Sequence, residues 1–191
     1  MDKNIKASFD KWTDNSNGMA VSESSKPLAL IGLMGVGKTT VGRRLAKRLD
    51  LPFVDADEEI ELAAGLSVAE IFERFGEDYF RDGERRVIAR LMGDGKQVIA
   101  TGGGAFMNAE TRKLMLSNAI VIWLDADLET LVQRVSRRNT RPLLNSGDPK
   151  EILHDLAQKR NPVYAQAHIR VTGNDSPHEV TVDKIIGSLE N

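Results

Sequence analysis

Short uninterrupted apolar runs alternate along this chain with longer stretches in which apolar residues return every three or four positions. Runs of the first kind predict strands buried on both faces, and stretches of the second kind predict amphipathic helices. Leu28-Ala29-Leu30-Ile31 reads as a strand, and Val41, Leu45 and Leu49 mark the inner side of the helix after it, with Arg43, Arg44, Lys47 and Arg48 on its solvated face. Leu51 to Asp57 reads as a short buried second strand ending in the two acids Asp55 and Asp57. Ser67-Val68-Ala69-Glu70 is a capping box that starts a helix through Ile71, Phe72 and Phe75, and Gly76 is expected to stop it. Phe80-Arg81-Asp82-Gly83-Glu84 leads into a further helix whose inner side is Val87, Ile88 and Leu91.

Gln97 to Thr101 predicts another strand, Asn108 can cap a helix to about Leu116, and Ala119 to Leu124 predicts a fully buried strand. Asp127 caps the next helix, carried by Leu128, Leu131, Val132 and Val135. From Arg137 to Asp148 the periodicity dissolves into Arg, Asn, Pro, Ser and Gly, which predicts a mobile loop. Asp148-Pro149 restarts a helix, His168 to Thr172 is a last strand, and Ser176-Pro177 opens a terminal helix through Val180, Ile185, Ile186 and Leu189. Strands and helices alternate throughout. That order predicts an α/β fold with a parallel sheet, helices on both faces, and ligands at the carboxyl ends of the strands.

The length of 191 residues suits one domain, expected over 27–191. Residues 1–26 mix both charges with serine and lack an apolar core, so they predict a disordered extension; four acids and no arginine argue against a transit peptide. A net charge of −2 gives no whole-chain basic footprint for nucleic acid or an anionic membrane. The apolar run Ala119 to Leu124 falls far short of the ~20 residues of a membrane helix. The absence of cysteine excludes disulfides and thiolate chemistry. A cytoplasmic monomer is the expectation.

Candidate chemistry begins at Gly32-Leu33-Met34-Gly35-Val36-Gly37-Lys38-Thr39-Thr40, a G-x-x-x-x-G-K-[ST] phosphate loop between a strand and a helix. Glycines at 35 and 37 let the backbone turn its N–H groups, Val36 among them, onto phosphates, and the first helical turn adds unpaired donors at Thr39 and Thr40. Lys38 can reach the β- and γ-phosphates, and the Thr39 hydroxyl can take a place on Mg²⁺. Asp55-Ala56-Asp57 offers two carboxylates toward the same region, one for a metal-bound water and one for a substrate hydroxyl. Helix capping is an equally good account of that pair. Thr101-Gly102-Gly103-Gly104 exposes main chain to a ligand. Arg81, Arg141 and Arg160 stand beside irregular or terminal stretches; each is either a surface residue or a clamp for phosphate or carboxylate. His154, His168 and His178 show no ligand spacing and receive no role. No N-K-x-D stretch is present, which argues against a GTPase.

Together these motifs resemble the shikimate kinase family. The resemblance rests on Gly32 to Thr40, Phe53-Val-Asp-Ala-Asp57, Phe75-Gly-Glu-Asp-Tyr-Phe-Arg-Asp-Gly-Glu84, Thr101 to Gly104, Arg141-Pro-Leu-Leu144 and Arg160-Asn-Pro-Val-Tyr164. It implies a nucleoside-monophosphate-kinase-like α/β/α fold with a five-stranded parallel sheet and a lid at about 137–148. The implied reaction is ATP- and Mg²⁺-dependent phosphorylation of the shikimate 3-hydroxyl, giving shikimate 3-phosphate and ADP for aromatic amino-acid biosynthesis. Carried over by motif, Asp57 contacts the ring hydroxyls and is the candidate base, while Asp55 and Thr39 serve the Mg²⁺ shell. Arg81 and Arg160 clamp the carboxylate, Gly102, Gly103 and Gly104 line the ring, and Glu84 holds Arg81. Lys38 and the lid residue Arg141 act on the phosphates. Arg134 and the segment from Asp175 to Pro177 flank the adenine. A kinase of another polyhydroxy acid, such as gluconate, and a nucleotide-binding regulatory module without turnover are the alternatives.

Overall fold

The computed structural model describes residues 25–136, 148–173 and 177–190. Five strands form one parallel sheet: β1 (Leu28–Ile31), β2 (Phe53–Asp55), β3 (Val98–Ala100), β4 (Ile120–Asp125) and β5 (Ile169–Thr172), in the order β2-β3-β1-β4-β5. Every residue of β1 is buried, as the central strand of a sheet covered on both faces requires. The predicted strands match the observed ones to within one or two residues at each start.

The covering helices are α1 (Lys38–Leu49), α2 (Ala56–Ala64), α3 (Val68–Gly93), α4 (Ala109–Asn118), α5 (Leu128–Ser136), α6 (Pro149–Tyr164) and α7 (His178–Leu189). Their starts are chemically specified. Ser67 and Glu70 form the reciprocal capping box, Asn108 accepts from the N–H groups of Glu110 and Thr111, Asp127 accepts from Thr130 N at 2.7 Å, and Asp148 accepts from Lys150 N. Helix α1 buries Val41, Leu45 and Ala46 and lies close on β2, because a side chain at Gly42 would stand 2.6 Å from the Phe53 ring.

Two expectations are corrected here. Gly76 does not end its helix: its φ of +81° makes a kink, and the chain resumes helical geometry at once, so Phe80 to Glu84 belong to the second segment of α3. The sequence from Glu77 to Gly93 has enough helix-forming residues and a buried side, Phe80, Glu84, Val87, Ile88 and Leu91, to restart without a loop. Asp57 is not at a strand end. Helix α2 starts at Ala56, which puts Asp57 in its first turn.

The lid expected at 137–148 lies, apart from Asp148, outside the described residues, as do residues 1–24 of the N-terminal extension. Among the described residues no helix is long and apolar enough to cross a membrane.

Candidate active site

The phosphate loop leaves the carboxyl end of β1. Gly32, Gly35 and Gly37 have φ of +141°, +81° and +97°, values that side chains with a Cβ rarely adopt, so the sequence pattern is a backbone requirement. Gly37 is the N-cap of α1 and supplies no side-chain acceptor, and the first turn contains no acid. Those leading N–H groups are thus available to an anion. Lys38 folds back over the loop, its Nζ donating to Gly32 O at 2.9 Å and Leu33 O at 3.1 Å.

Thr39 Oγ1 donates to Asp55 Oδ2 at 2.9 Å, and Asp55 Oδ1 accepts from Asp57 N at 3.1 Å. Asp55 therefore caps α2 with one oxygen and faces the phosphate loop with the other. A hydroxyl and a carboxylate are hard oxygen donors of the kind Mg²⁺ takes. Among the described residues no group of three or more His, Cys, Asp or Glu could hold a metal unaided.

The acceptor side is organised by the three glycines after β3. Thr101 fixes the turn to β1, its N and Oγ1 both donating to Leu30 O at 3.1 and 3.0 Å. A Cβ at Gly102 would lie 2.8 Å from Asp57 Oδ1 and 3.0 Å from Glu84 Oε1. At Gly103 it would lie 3.1 Å from Arg160 Nη1 and 3.3 Å from Gly32 O, the carbonyl that Lys38 holds. At Gly104 it would strike the Arg81 guanidinium at 2.5 Å. Three consecutive bare backbones thus let groups from α2, α3 and α6 converge beside the phosphate loop.

Charge in this cluster is only partly solvated. Arg81 Nη1 donates to Glu84 Oε2 at 2.7 Å, with the Arg81 side chain 25% exposed and Glu84 only 2%. Glu77 on the outer side also accepts from Arg81. Burial alone would lower the Arg81 pKa, but Glu84 and Glu77 outweigh it and hold the group above its ordinary value. Burial raises the Glu84 pKa, with Arg81 opposing. Asp57 is likewise raised, first by burial and then by the neighbouring Asp55 charge, while Lys38 and Arg81 pull it down. Glu84 Oε1 is buried with no hydrogen-bond partner and faces the space beside Gly102. The arrangement can grip an anion with two guanidinium groups and hold a hydroxyl at Asp57 within reach of a phosphate bound at α1.

Of the residues expected here, Gly35 to Thr40, Asp55, Asp57, Arg81, Gly102 to Gly104 and Arg160 come together. Arg134, in the last turn of α5, approaches Val36 O at 3.4 Å. Pro177 is the N-cap of α7, and the ring of the following His178 lies 3.2 Å from where a Gly37 Cβ would be. Arg141 and Asp175 lie outside the described residues. Sequence reasoning gave no role to His178 or to Tyr164; each follows an expected residue, by one position and by one helical turn, and that adjacency was the available signal. His168 does have a structural duty, its Nδ1 accepting from Val121 N at 2.9 Å.

The family model described as shikimate kinase matches residues 34–190. The chain belongs to the shikimate kinase family. It is 57% identical over 169 residues to a shikimate kinase of Novosphingobium aromaticivorans, an alignment covering 86% of this chain and 88% of that one. Among solved structures it is similar to a shikimate kinase from Acinetobacter baumannii in complex with shikimate, with a TM-score of 0.83, 38% identity and coverage of 88% and 95%. A gluconokinase from Sinorhizobium meliloti, with a TM-score of 0.58 and 19% identity over 85% of this chain and 90% of that one, shares the fold alone.

Proposed function

We propose that this chain transfers the terminal phosphoryl group of ATP to the 3-hydroxyl of shikimate, giving shikimate 3-phosphate and ADP in the cytoplasmic route to chorismate and the aromatic amino acids. The observation that carries this reading is the convergence of Asp57, Arg81, Glu84 and Arg160 on one glycine turn that abuts the carbonyl of Gly32. Shikimate is a ring with a carboxylate on one side and hydroxyls on the other. Arg81 and Arg160 take the carboxylate through charge-assisted hydrogen bonds, and Asp57 takes the hydroxyls. Gly102, Gly103 and Gly104 give the ring room to lie against main chain.

ATP brings about four negative charges and passes through a loose transition state in most analyses, so alignment and neutralisation outweigh proton abstraction. The N–H groups from Gly35 to Thr40 and the Lys38 ammonium cradle the phosphates, and Arg141 is the further cation assigned to them. Asp57 holds the attacking hydroxyl in line and receives its proton as the new bond forms; a raised carboxyl pKa makes that transfer less uphill. Thr39 and Asp55 are the residues that would hold Mg²⁺, which when bound neutralises charge on the β- and γ-phosphates. Arg134 and Pro177 border the adenine. The enzyme acts as a monomer on small molecules only.

The test is ADP release measured with ATP, Mg²⁺ and, in turn, shikimate, gluconate or a nucleoside monophosphate. ADP formed with shikimate alone is the expected result. Turnover of gluconate instead would reassign the substrate, and slow ADP release indifferent to any acceptor would favour a regulatory nucleotide-binding module.

A further inference from the structure

Tyr164 is the last residue of α6, one helical turn beyond Arg160. It is fully buried, and its ring packs beside Phe106 and Trp123 at centroid distances of 6.4 and 6.0 Å. Phe106 belongs to the short 3₁₀ turn that follows the glycines, and Trp123 to β4, so the ring is held by two elements besides its own. A tyrosine this deep carries a polar oxygen that needs a partner. The partner is the main chain of the substrate turn: Tyr164 Oη donates to Gly103 O. Burial raises the phenol pKa and the nearby Arg160 opposes it, and Arg160 Nη1 itself stands 3.1 Å from where a Gly103 Cβ would be, so tyrosine and arginine meet the same turn.

We propose that Tyr164 is a positioning residue of the acceptor site, whose hydroxyl sets Arg160 and the Gly103 main chain in register with one another and, through Gly103 against Gly32 O, with the phosphate loop. This rests on the shikimate reading above, since it assigns Tyr164 to the carboxylate end of that substrate. The hydroxyl bonds the acceptor-side turn, so its loss falls on the acceptor. Without it the half-buried Gly103 carbonyl loses that donor, and the turn against which Arg160 stands is free to relax.

The experiment is steady-state kinetics of Tyr164→Phe, which keeps the buried ring, alongside the unaltered chain. The shikimate KM is expected to rise about three- to tenfold with kcat lowered and the ATP KM unchanged. A general loosening of the fold would degrade both substrates. In an Arg160→Ala background the same change is expected to have a smaller effect on the shikimate KM, because the tyrosine acts partly through that arginine. An unchanged shikimate KM, equal losses for ATP and shikimate, or full additivity with Arg160→Ala overturns the proposal. If the unaltered chain itself does not turn over shikimate, the substrate reading falls and takes this one with it; normal turnover with an unshifted variant overturns the tyrosine's role alone.

Discussion

The phosphate loop occupies one uninterrupted stretch, Gly32 to Thr40, whereas the polar groups facing it come from α2, α3, the turn after β3 and α6. The first region works through main chain. Its N–H groups are aimed by three glycines at positive φ and by a helix start without a side-chain cap, and its one charged side chain, Lys38, rests on the loop's own carbonyls. The second region works through side chains partly removed from water, with Asp57 and Glu84 both pushed toward their protonated forms by burial. A loop that must bind any nucleotide triphosphate can be local and generic. A site that must recognise one small acid needs several directions of approach, and a single stretch of chain cannot supply them.

If this division is right, damage to the two regions should separate in the kinetics. The largest effect is expected from Asp57→Asn, which keeps the shape and removes the charge. Its kcat should fall about 10²- to 10⁴-fold with ATP affinity little changed; near-normal turnover in a coupled assay would remove Asp57 from the reaction. Next comes Arg160→Ala. It should raise the shikimate KM by the equivalent of about 1.5–3 kcal/mol, roughly ten- to a hundredfold, with the ATP KM unmoved. A parallel rise in both constants would erase the contrast between the two regions.

Glu84→Gln sharpens the electrostatic half of the comparison. A carboxyl whose folded pKa is raised holds more protons folded than unfolded, so stability declines as pH rises from its ordinary value of 4.5 through the folded value and then levels off. Melting temperatures taken across that range should decline less in Glu84→Gln than in the unaltered chain, with the remaining decline including that of Asp57. An unaltered slope would mean that burial does not raise the Glu84 pKa in the folded chain. The smallest effect is expected from Arg43→Ala on the outer face of α1, where Arg43 and Glu58 pair at 3.3 Å with 59% and 62% of their side chains exposed. Stability should change by no more than about 0.5 kcal/mol, and turnover should be untouched.

How far the chain could be read without its coordinates depended on whether the controlling interactions were local. The strand and helix alternation, the capping box at Ser67, the Asp148-Pro149 start and the phosphate loop are each legible because a few neighbouring residues specify them. Gly76 misled because its positive φ is also what a kink requires, and only the apolar face of the following segment, packed into the core, decides that helix resumes. Asp55 was ambiguous for a related reason: its two carboxylate oxygens do separate things, Oδ1 capping α2 and Oδ2 accepting from Thr39 of the phosphate loop.

By itself the sequence determined the element order, the phosphate-binding main chain and the membership of a family, since each is carried by spacing and by residues that only certain backbones tolerate. The tertiary structure alone decided which distant side chains meet. No local rule brings Glu84 Oε1 to Gly102, Arg81 to Gly104, or the hydroxyl of Tyr164 to Gly103. Those contacts exist because the parallel sheet sets the carboxyl ends of β1, β2 and β3 side by side while helices distant in sequence pack above them, and that proximity is a property of the closed fold.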